Sequence, residues 1–336
     1  MSASRPALSR RQITLLGLMS LGLSACAQTE AAVSPFSEPE RADYSALGKD
    51  STLLVVTTRK STGAVAPFFS SDRGPLTFAE VRLSAPGRGI AGRVSSAVSG
   101  DWAVQNVGRT TTTSPVRALA DATTGRDVLL YVHGYNETFE SAARSAGQLS
   151  HSLEFQGRTA LFTWPSGGKL LDYAYDRESA LWSRDAFQQT LRGLLTSPTV
   201  GRVHIVAHSM GTFLTVEGLR EMRDMPELYA RIGAVVLASP DIDIDSFEQT
   251  VSKLGPLANR MTLIIDPGDR ALAVSARIAG GVTRAGAADR SRLEALGVRV
   301  ADTSVVGGWS MLRHDLFLSD GQVTQVVRRA MERGGS

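Results

Sequence analysis

With one cysteine in 336 residues, the chain cannot form an intramolecular disulfide. Its five histidines show no metal-ligand spacing such as H-E-x-x-H. No uninterrupted apolar run reaches the roughly 20 residues that a membrane-spanning helix requires. No internal repeat appears, and no break in composition splits residues 51–336 into two parts. The charge is also uninformative about partners. Of 36 basic and 33 acidic residues, three arginines and no acids fall in the first 25 positions, so the remainder is neutral. Nothing in that balance points to nucleic acid.

What is present begins with a leader. Arg5, Arg10 and Arg11 precede an uncharged, leucine-rich run from Gln12 to Ala25, followed by the lone cysteine, Cys26. A basic start, a short apolar stretch and small residues before a cleavage point describe an export signal covering residues 1–25. Leu23-Ser24-Ala25-Cys26 resembles a bacterial lipobox, which would make Cys26 the lipidated N-terminus. Ser9-Arg10-Arg11-Gln12-Ile13 resembles a twin-arginine signal with Ile13 in place of the usual Phe, so both general and twin-arginine export stay open. Ala27 after the cysteine suits sorting to the periplasmic face of the outer membrane. Multiple acyl chains, palmitate among them, would hold such a protein far better than one. Residues 26–50, rich in Ala, Ser, Pro and Glu, read as a flexible tether.

From Ser51 onward the pattern alternates. Leu53–Thr58, Phe78–Leu83, Val128–Val132, Thr159–Trp164, Val203–Ala207, Ala234–Ala238, Met261–Ile265 and Gly297–Val300 read as strands, several of them continuous apolar runs of the kind buried on both faces. Phe139, Ala142, Ala143, Ala146, Leu149 and Leu153 share one helical face, as do Ala180, Phe187, Leu191 and Leu194. A terminal helix carries Leu316, Val323, Val326 and Val327. Residues 85–127, rich in Gly, Ser and Thr, are the least legible. Strand–helix alternation of this kind implies an α/β fold with a mainly parallel sheet and helices on both faces. Such sheets place their chemistry beyond the carboxyl ends of the strands.

One of those ends stands out. Val203-His204-Ile205-Val206-Ala207-His208-Ser209-Met210-Gly211 runs from an apolar strand through a serine flanked at two before and two after by small residues, into a helix. That is the context of a nucleophile elbow, here A-x-S-x-G, in which a sharp turn lifts the serine hydroxyl above the sheet. Serine needs a base, and the base needs a carboxylate to fix its tautomer. Of His133, His151, His204, His208 and His314, only His314 follows the last strand, and it is assigned as general base and acid. Asp269 is the favoured third member. Asp266 competes with it, as does the cluster Asp241, Asp243 and Asp245, whose isoleucine spacers and missing glycine do not make a calcium loop. The oxyanion donors expected are the backbone N–H groups of Met210 and of Tyr135, in the turn His133-Gly134-Tyr135-Asn136. Asn136 is expected to cap the following helix. The run Asp176-Arg177-Glu178 reads as an ion-pair set that starts a helix, with substrate binding as the other reading. Trp164, Trp182 and Trp309 suit either an acyl-pocket wall or core packing.

These residues together resemble an α/β-hydrolase. More narrowly, the chain is similar to a bacterial esterase/lipase-like family known mainly as a domain of unknown function, over most of Leu53 to Leu318. The likeness rests on Tyr131–Asn136, Phe162-Thr163-Trp164-Pro165-Ser166, Tyr175–Ala180, Ala207–Gly211 and Ser239–Asp243. It implies the fold, a serine-hydrolase mechanism, and ester or lipid substrates. The reading is therefore a membrane-tethered carboxylic-ester hydrolase that needs no metal or organic cofactor and takes small-molecule or lipid esters. Lipid acyl transfer shares its acyl-enzyme. A non-catalytic envelope lipoprotein would need none of the set Ser209, Asp269, His314, Tyr135 and Met210.

Overall fold

The computed structural model describes residues 51–64, 66–84, 102–110, 112–304 and 321–335. All of them lie in one compact unit, Pro39–Ser336; the other unit, Met1–Glu38, falls wholly outside the described residues, and Cys26 with it. Among the described residues, nine strands form one sheet: β1 (Ser51–Ser61), β2 (Phe69–Ser84), β3 (Ala103–Thr110), β4 (Val128–Val132), β5 (Arg158–Thr163), β6 (Val203–His208), β7 (Ile232–Ala238), β8 (Met261–Ile265) and β9 (Arg299–Asp302). The described α-helices are α1 (Pro115–Ala122), α2 (Phe139–Ser152), α3 (Tyr173–Trp182), α4 (Arg184–Thr196), α5 (Met210–Arg220), α6 (Pro226–Tyr229), α7 (Ile244–Val251), α8 (Arg270–Ile278), α9 (Arg290–Glu294) and α10 (Gly321–Gly335).

The strand order is β3-β2-β1-β5-β4-β6-β7-β8-β9. β1 to β3 form an antiparallel meander, and every other pairing is parallel. The stretch least legible in sequence thus holds β3 and α1. β2 begins nine residues earlier than its apolar core suggests, because Ser71-Asp72-Arg73-Gly74-Pro75 carries no apolar alternation yet still pairs with β1.

Central strands are buried on both faces, and their side chains divide accordingly. In β4, Val128, Leu130 and Val132 join the cluster that contains Leu119, Leu191, Leu214, Phe247 and Leu293. Leu129 and Tyr131 join the opposite cluster with Phe139, Ala143, Leu149, Val323 and Val327. So α2 and α10 cover one face, and α1, α4, α5, α7 and α9 cover the other. The result is an α/β-hydrolase fold with helices on both sides of a mainly parallel sheet.

The winding fixes where a site can form. From β4 the chain crosses to β5 on one side and then to β6 on the other. The connections therefore leave β4 and β6 in opposite directions, opening a crevice at their carboxyl ends. Val132 pairs with Ala207 there, so the turns after both strands begin side by side.

Candidate active site

Backbone strain is concentrated at that edge. Among the described residues, four non-glycine residues have positive φ, and three of them follow β4, β6 and β7: Asn136 (φ 62°), Ser209 (φ 49°) and Ser239 (φ 46°). Such conformations cost on the order of 1–3 kcal/mol each and persist only where surroundings enforce them. Ser209, with ψ −122°, is the residue between β6 and α5. Its N–H donates to the Ala238 carbonyl at 2.9 Å. Its carbonyl accepts from the Thr212 N–H at 3.0 Å and the Thr212 hydroxyl at 2.6 Å. Those bonds hold the turn from both neighbouring elements.

Close packing demands the small residues. A Cβ on Gly211 would lie 2.2 Å from the His133 carbonyl oxygen and 2.7 Å from that of Val132. A Cβ on Gly134 would lie 3.0 Å from Ser209 Cβ. Ala207 is fully buried within β6 and pairs with Val132 and Leu237. Met210 opens α5 and is likewise buried.

The turn after β4 is built on His133. Its Nε2 accepts from the backbone N–H of Trp164 at 3.1 Å, so the ring proton must sit on Nδ1, which donates to the Gly134 carbonyl at 2.8 Å. The Thr163 hydroxyl also donates to Nε2, and Trp164 stacks on the ring at 4.8 Å. Burial, reinforced by the nearby Arg59 charge, holds the imidazole well below its usual pKa. His133 is therefore a neutral structural donor. A trans, planar peptide points its N–H opposite to its C=O. Anchoring the Gly134 carbonyl thus turns the Tyr135 N–H away from the His133 ring. Burial raises the Tyr135 phenol's pKa; its hydroxyl donates to the Lys169 carbonyl.

Several expected roles change. The helix cap after this turn is Thr138, paired with Ser141 in a reciprocal capping box, and not Asn136; the backbone N–H of Asn136 instead donates to Asp176 at 3.2 Å. Asp176 does not belong to an ion-pair set at a helix start. It is the fourth residue of α3 and is fully buried; it accepts from the Gly167 N–H at 2.7 Å and from the Ser166 hydroxyl as well as from Asn136. Burial pushes its carboxyl pKa up, against those hydrogen bonds and the charge of Arg59. Arg177 lies over the Phe213 ring, 4.2 Å from its centroid. Trp164 is wholly buried and packs in the core, Trp182 is half exposed, and Trp309 lies outside the described residues.

The carboxylates past β7 and β8 separate clearly. Asp241 is buried and paired with Arg284 at 3.1 Å, and it accepts from the hydroxyls of Tyr173 and Ser275. Asp243 caps α7, and Asp245 pairs with Arg292. The triplet is thus consumed by structure. Asp266 and Asp269 sit together in the turn after β8. Asp266 accepts from the Gly268 N–H at 2.8 Å, and Asp269 caps α8 through the N–H groups of Ala271 and Leu272. Both are buried at the same edge of the sheet as Ser209. β9 runs parallel to β8 and delivers the chain to that edge; His314 lies outside the described residues.

Arg59, Ser166, Tyr173 and Arg284 carry this architecture and had no signal of their own in the sequence, since buried charge is a property of tertiary packing. Ser166, inside the Phe162–Ser166 run, was the nearest to a clue.

A family model described as alpha/beta hydrolase of unknown function (DUF900) matches residues 110–330. An uncharacterized protein of Nostoc sp. (strain PCC 7120) is 26% identical over 122 residues, covering 29% of this chain and 32% of that protein. The match thus spans about a third of the length of that relative. Among solved structures, Est1E from Butyrivibrio proteoclasticus is 10% identical, with 77% of this chain and 95% of that one covered and a TM-score of 0.41. A CIB-like hydrolase from Thermoplasma acidophilum is 12% identical, with coverage of 84% and 98% and a TM-score of 0.39.

Proposed function

Because this chain belongs to the family described as alpha/beta hydrolase of unknown function (DUF900), we propose that its hydrolase chemistry is the cleavage of carboxylic esters through an acyl-enzyme on Ser209. The observation that carries the reading is the backbone of Ser209. A φ of 49° and ψ of −122° at the carboxyl end of a central strand is a costly conformation. A merely capping serine would not need it, and the Ser209 side chain makes no cap hydrogen bond.

In this proposal Ser209 Oγ attacks the ester carbonyl while His314 takes its proton. The tetrahedral oxyanion is held by the N–H groups of Tyr135 and Met210. His314 then protonates the departing alkoxide, and Asp269 orients the imidazole. Water repeats the sequence to release the acid. Transfer to an alcohol acceptor would share every step before the last. Asp241 is neutralised by the buried Arg284, whereas Asp269 is buried at the carboxyl end of β8, where β9 also ends, and this supports Asp269 as the acid. The proposal extends to placement: lipidation of Cys26 would tether the domain to the periplasmic face of the outer membrane, near lipid-derived esters.

The test is hydrolysis of para-nitrophenyl acetate, butyrate and octanoate by the full chain and by its Ser209→Ala variant. Turnover lost in the variant supports the reading, and the chain-length trend sizes the acyl site. Absence of turnover, together with no labelling of Ser209 by a fluorophosphonate, would overturn it.

A further inference from the structure

We infer that Asp176, braced by Arg59, is a positioning residue that sets the direction of the Tyr135 amide and so acts on catalysis without touching substrate. The inference rests on the serine-hydrolase reading above and assigns roles to two buried charges that the reading does not use.

The turn after β4, which approaches Ser209 through Gly134, meets residues 164–169 after β5. Away from water, their backbone groups need partners. The donors converge on one anion. Asp176 accepts from the N–H of Asn136 at 3.2 Å, the N–H of Gly167 at 2.7 Å and the hydroxyl of Ser166. The acceptors converge on one cation. Arg59, at the end of β1, donates to the carbonyls of Glu137 at 2.7 Å and Ser166 at 3.1 Å, and to the Thr163 hydroxyl at 2.9 Å. Ser166 closes the set, because its hydroxyl also accepts from the Glu137 N–H at 3.0 Å.

The consequence for Tyr135 is geometric. The peptide unit before it is fixed by His133 through the Gly134 carbonyl. The unit after it is fixed by Asp176 through the Asn136 N–H. The Tyr135 N–H lies in the first of these planes, which His133 aims, and Asp176 acts on it by holding the second plane so that the turn cannot pull the first out of line. Asn136 sits at φ 62°, a region that non-glycine residues seldom occupy, although asparagine occupies it more readily than most. The bond from its N–H to Asp176 braces that conformation. Converting the carboxylate to an amide replaces one acceptor oxygen with a donor that faces other donors. The loop should then relax and the Tyr135 N–H turn out of line.

Removing a single oxyanion donor costs about 100- to 1,000-fold in kcat, and a turned amide should approach the lower end. The test uses the full chain with Asp176→Asn and, separately, Ser166→Ala. Both are assayed for kcat and KM on para-nitrophenyl butyrate and for inhibition by butylboronic acid, whose tetrahedral serine adduct occupies the oxyanion site. For Asp176→Asn, kcat should fall about 30- to 100-fold with KM within about threefold, and boronate affinity should weaken by a similar factor. Ser166→Ala should show the same pattern at about 3- to 10-fold, and it decides the matter if Asp176→Asn does not fold. A folded Asp176→Asn chain that keeps its kcat, or that loses activity through KM alone, would overturn the inference. A wild-type chain without Ser209-dependent turnover would instead overturn the reading beneath it, a failure visible before any loop variant is assayed.

Discussion

Gly134 and Ser209 approach so closely that a β-carbon on the glycine would lie 3.0 Å from the β-carbon of the serine. The turn after β4 and the turn after β6 therefore touch backbone to side chain, with no residue interposed. That contact places the Tyr135 peptide beside the serine.

The crossing of α5 over β4 is tighter still. Gly211→Ala would drive a methyl to 2.2 Å from the His133 carbonyl oxygen, and backbone cannot yield as a flexible side chain does. We expect a loss of about 2 kcal/mol in urea unfolding, in the range for overpacked cores, together with loss of any Ser209-dependent turnover. A loss below about 0.5 kcal/mol, the scale of ordinary surface changes, would contradict the contact.

Ser209 itself should trade stability for its conformation. Ser209→Ala keeps a β-carbon at φ 49°, whereas Ser209→Gly removes it. Strain of about 1–3 kcal/mol is then relieved against a glycine entropy cost of roughly 0.5–1 kcal/mol. The glycine variant should exceed the alanine variant by about 1 kcal/mol in denaturant unfolding, with both inactive. An alanine variant more stable than the glycine variant by about 0.5–1 kcal/mol would mean that the turn is unstrained.

Arg284 neutralises Asp241 where both are almost wholly buried, unlike the exposed pair Arg290–Glu294. Exposed pairs contribute about 0–1 kcal/mol, while stranding one partner of a buried pair costs about 3–5 kcal/mol. Arg284→Met should therefore destabilise strongly, and Asp241→Asn added to it should restore part of the loss. A double-mutant cycle in urea measures both, and additive losses would refute the coupling.

Stability should fall with acidification below neutrality. Burial holds His133, His204 and His151 below the ordinary histidine range. Below about pH 6.5 the unfolded chain thus binds more protons than the folded one, and stability is lost as pH falls toward the depressed values. His133 and His204, which are buried, each steepen the slope by up to about 1.4 kcal/mol per pH unit, and the partly exposed His151 contributes less because solvent screens it. Asp176, pushed up by burial, has the opposite sign: its contribution is present below about pH 3.8 and is lost as pH rises through its folded value. The urea midpoint should drop between pH 7 and pH 5, less steeply in His204→Gln. A flat profile would be inconsistent with neutral buried imidazoles.

The sheet was legible where apolar runs are continuous, as in Val128–Val132 and Met261–Ile265, because strands buried on both faces have no polar side to disguise them. The elbow was legible because close crossing restricts Ala207 and Gly211 to small residues. Thr138 and Ser141 offer a capping box in the sequence, but Asn136, nearer the strand, is an equally good cap by residue type, and only the backbone decides between them. Arg59 and Asp176 could not be found this way. A charged residue in a polar-looking segment reads as exposed, and only the meeting of two loops distant in the chain reveals what each one neutralises.

β1 finds its parallel neighbour late. Thr57 bonds to the carbonyl of Thr163, 106 positions onward, whereas the meander of β1 to β3 can close on itself at once. A growing chain would thus carry a three-stranded ribbon whose β1 edge stays open until β5 has been made. Open edges invite pairing with other chains, so the interval between the first strand and the fifth leaves a partly made sheet with an edge that its own chain cannot yet cover.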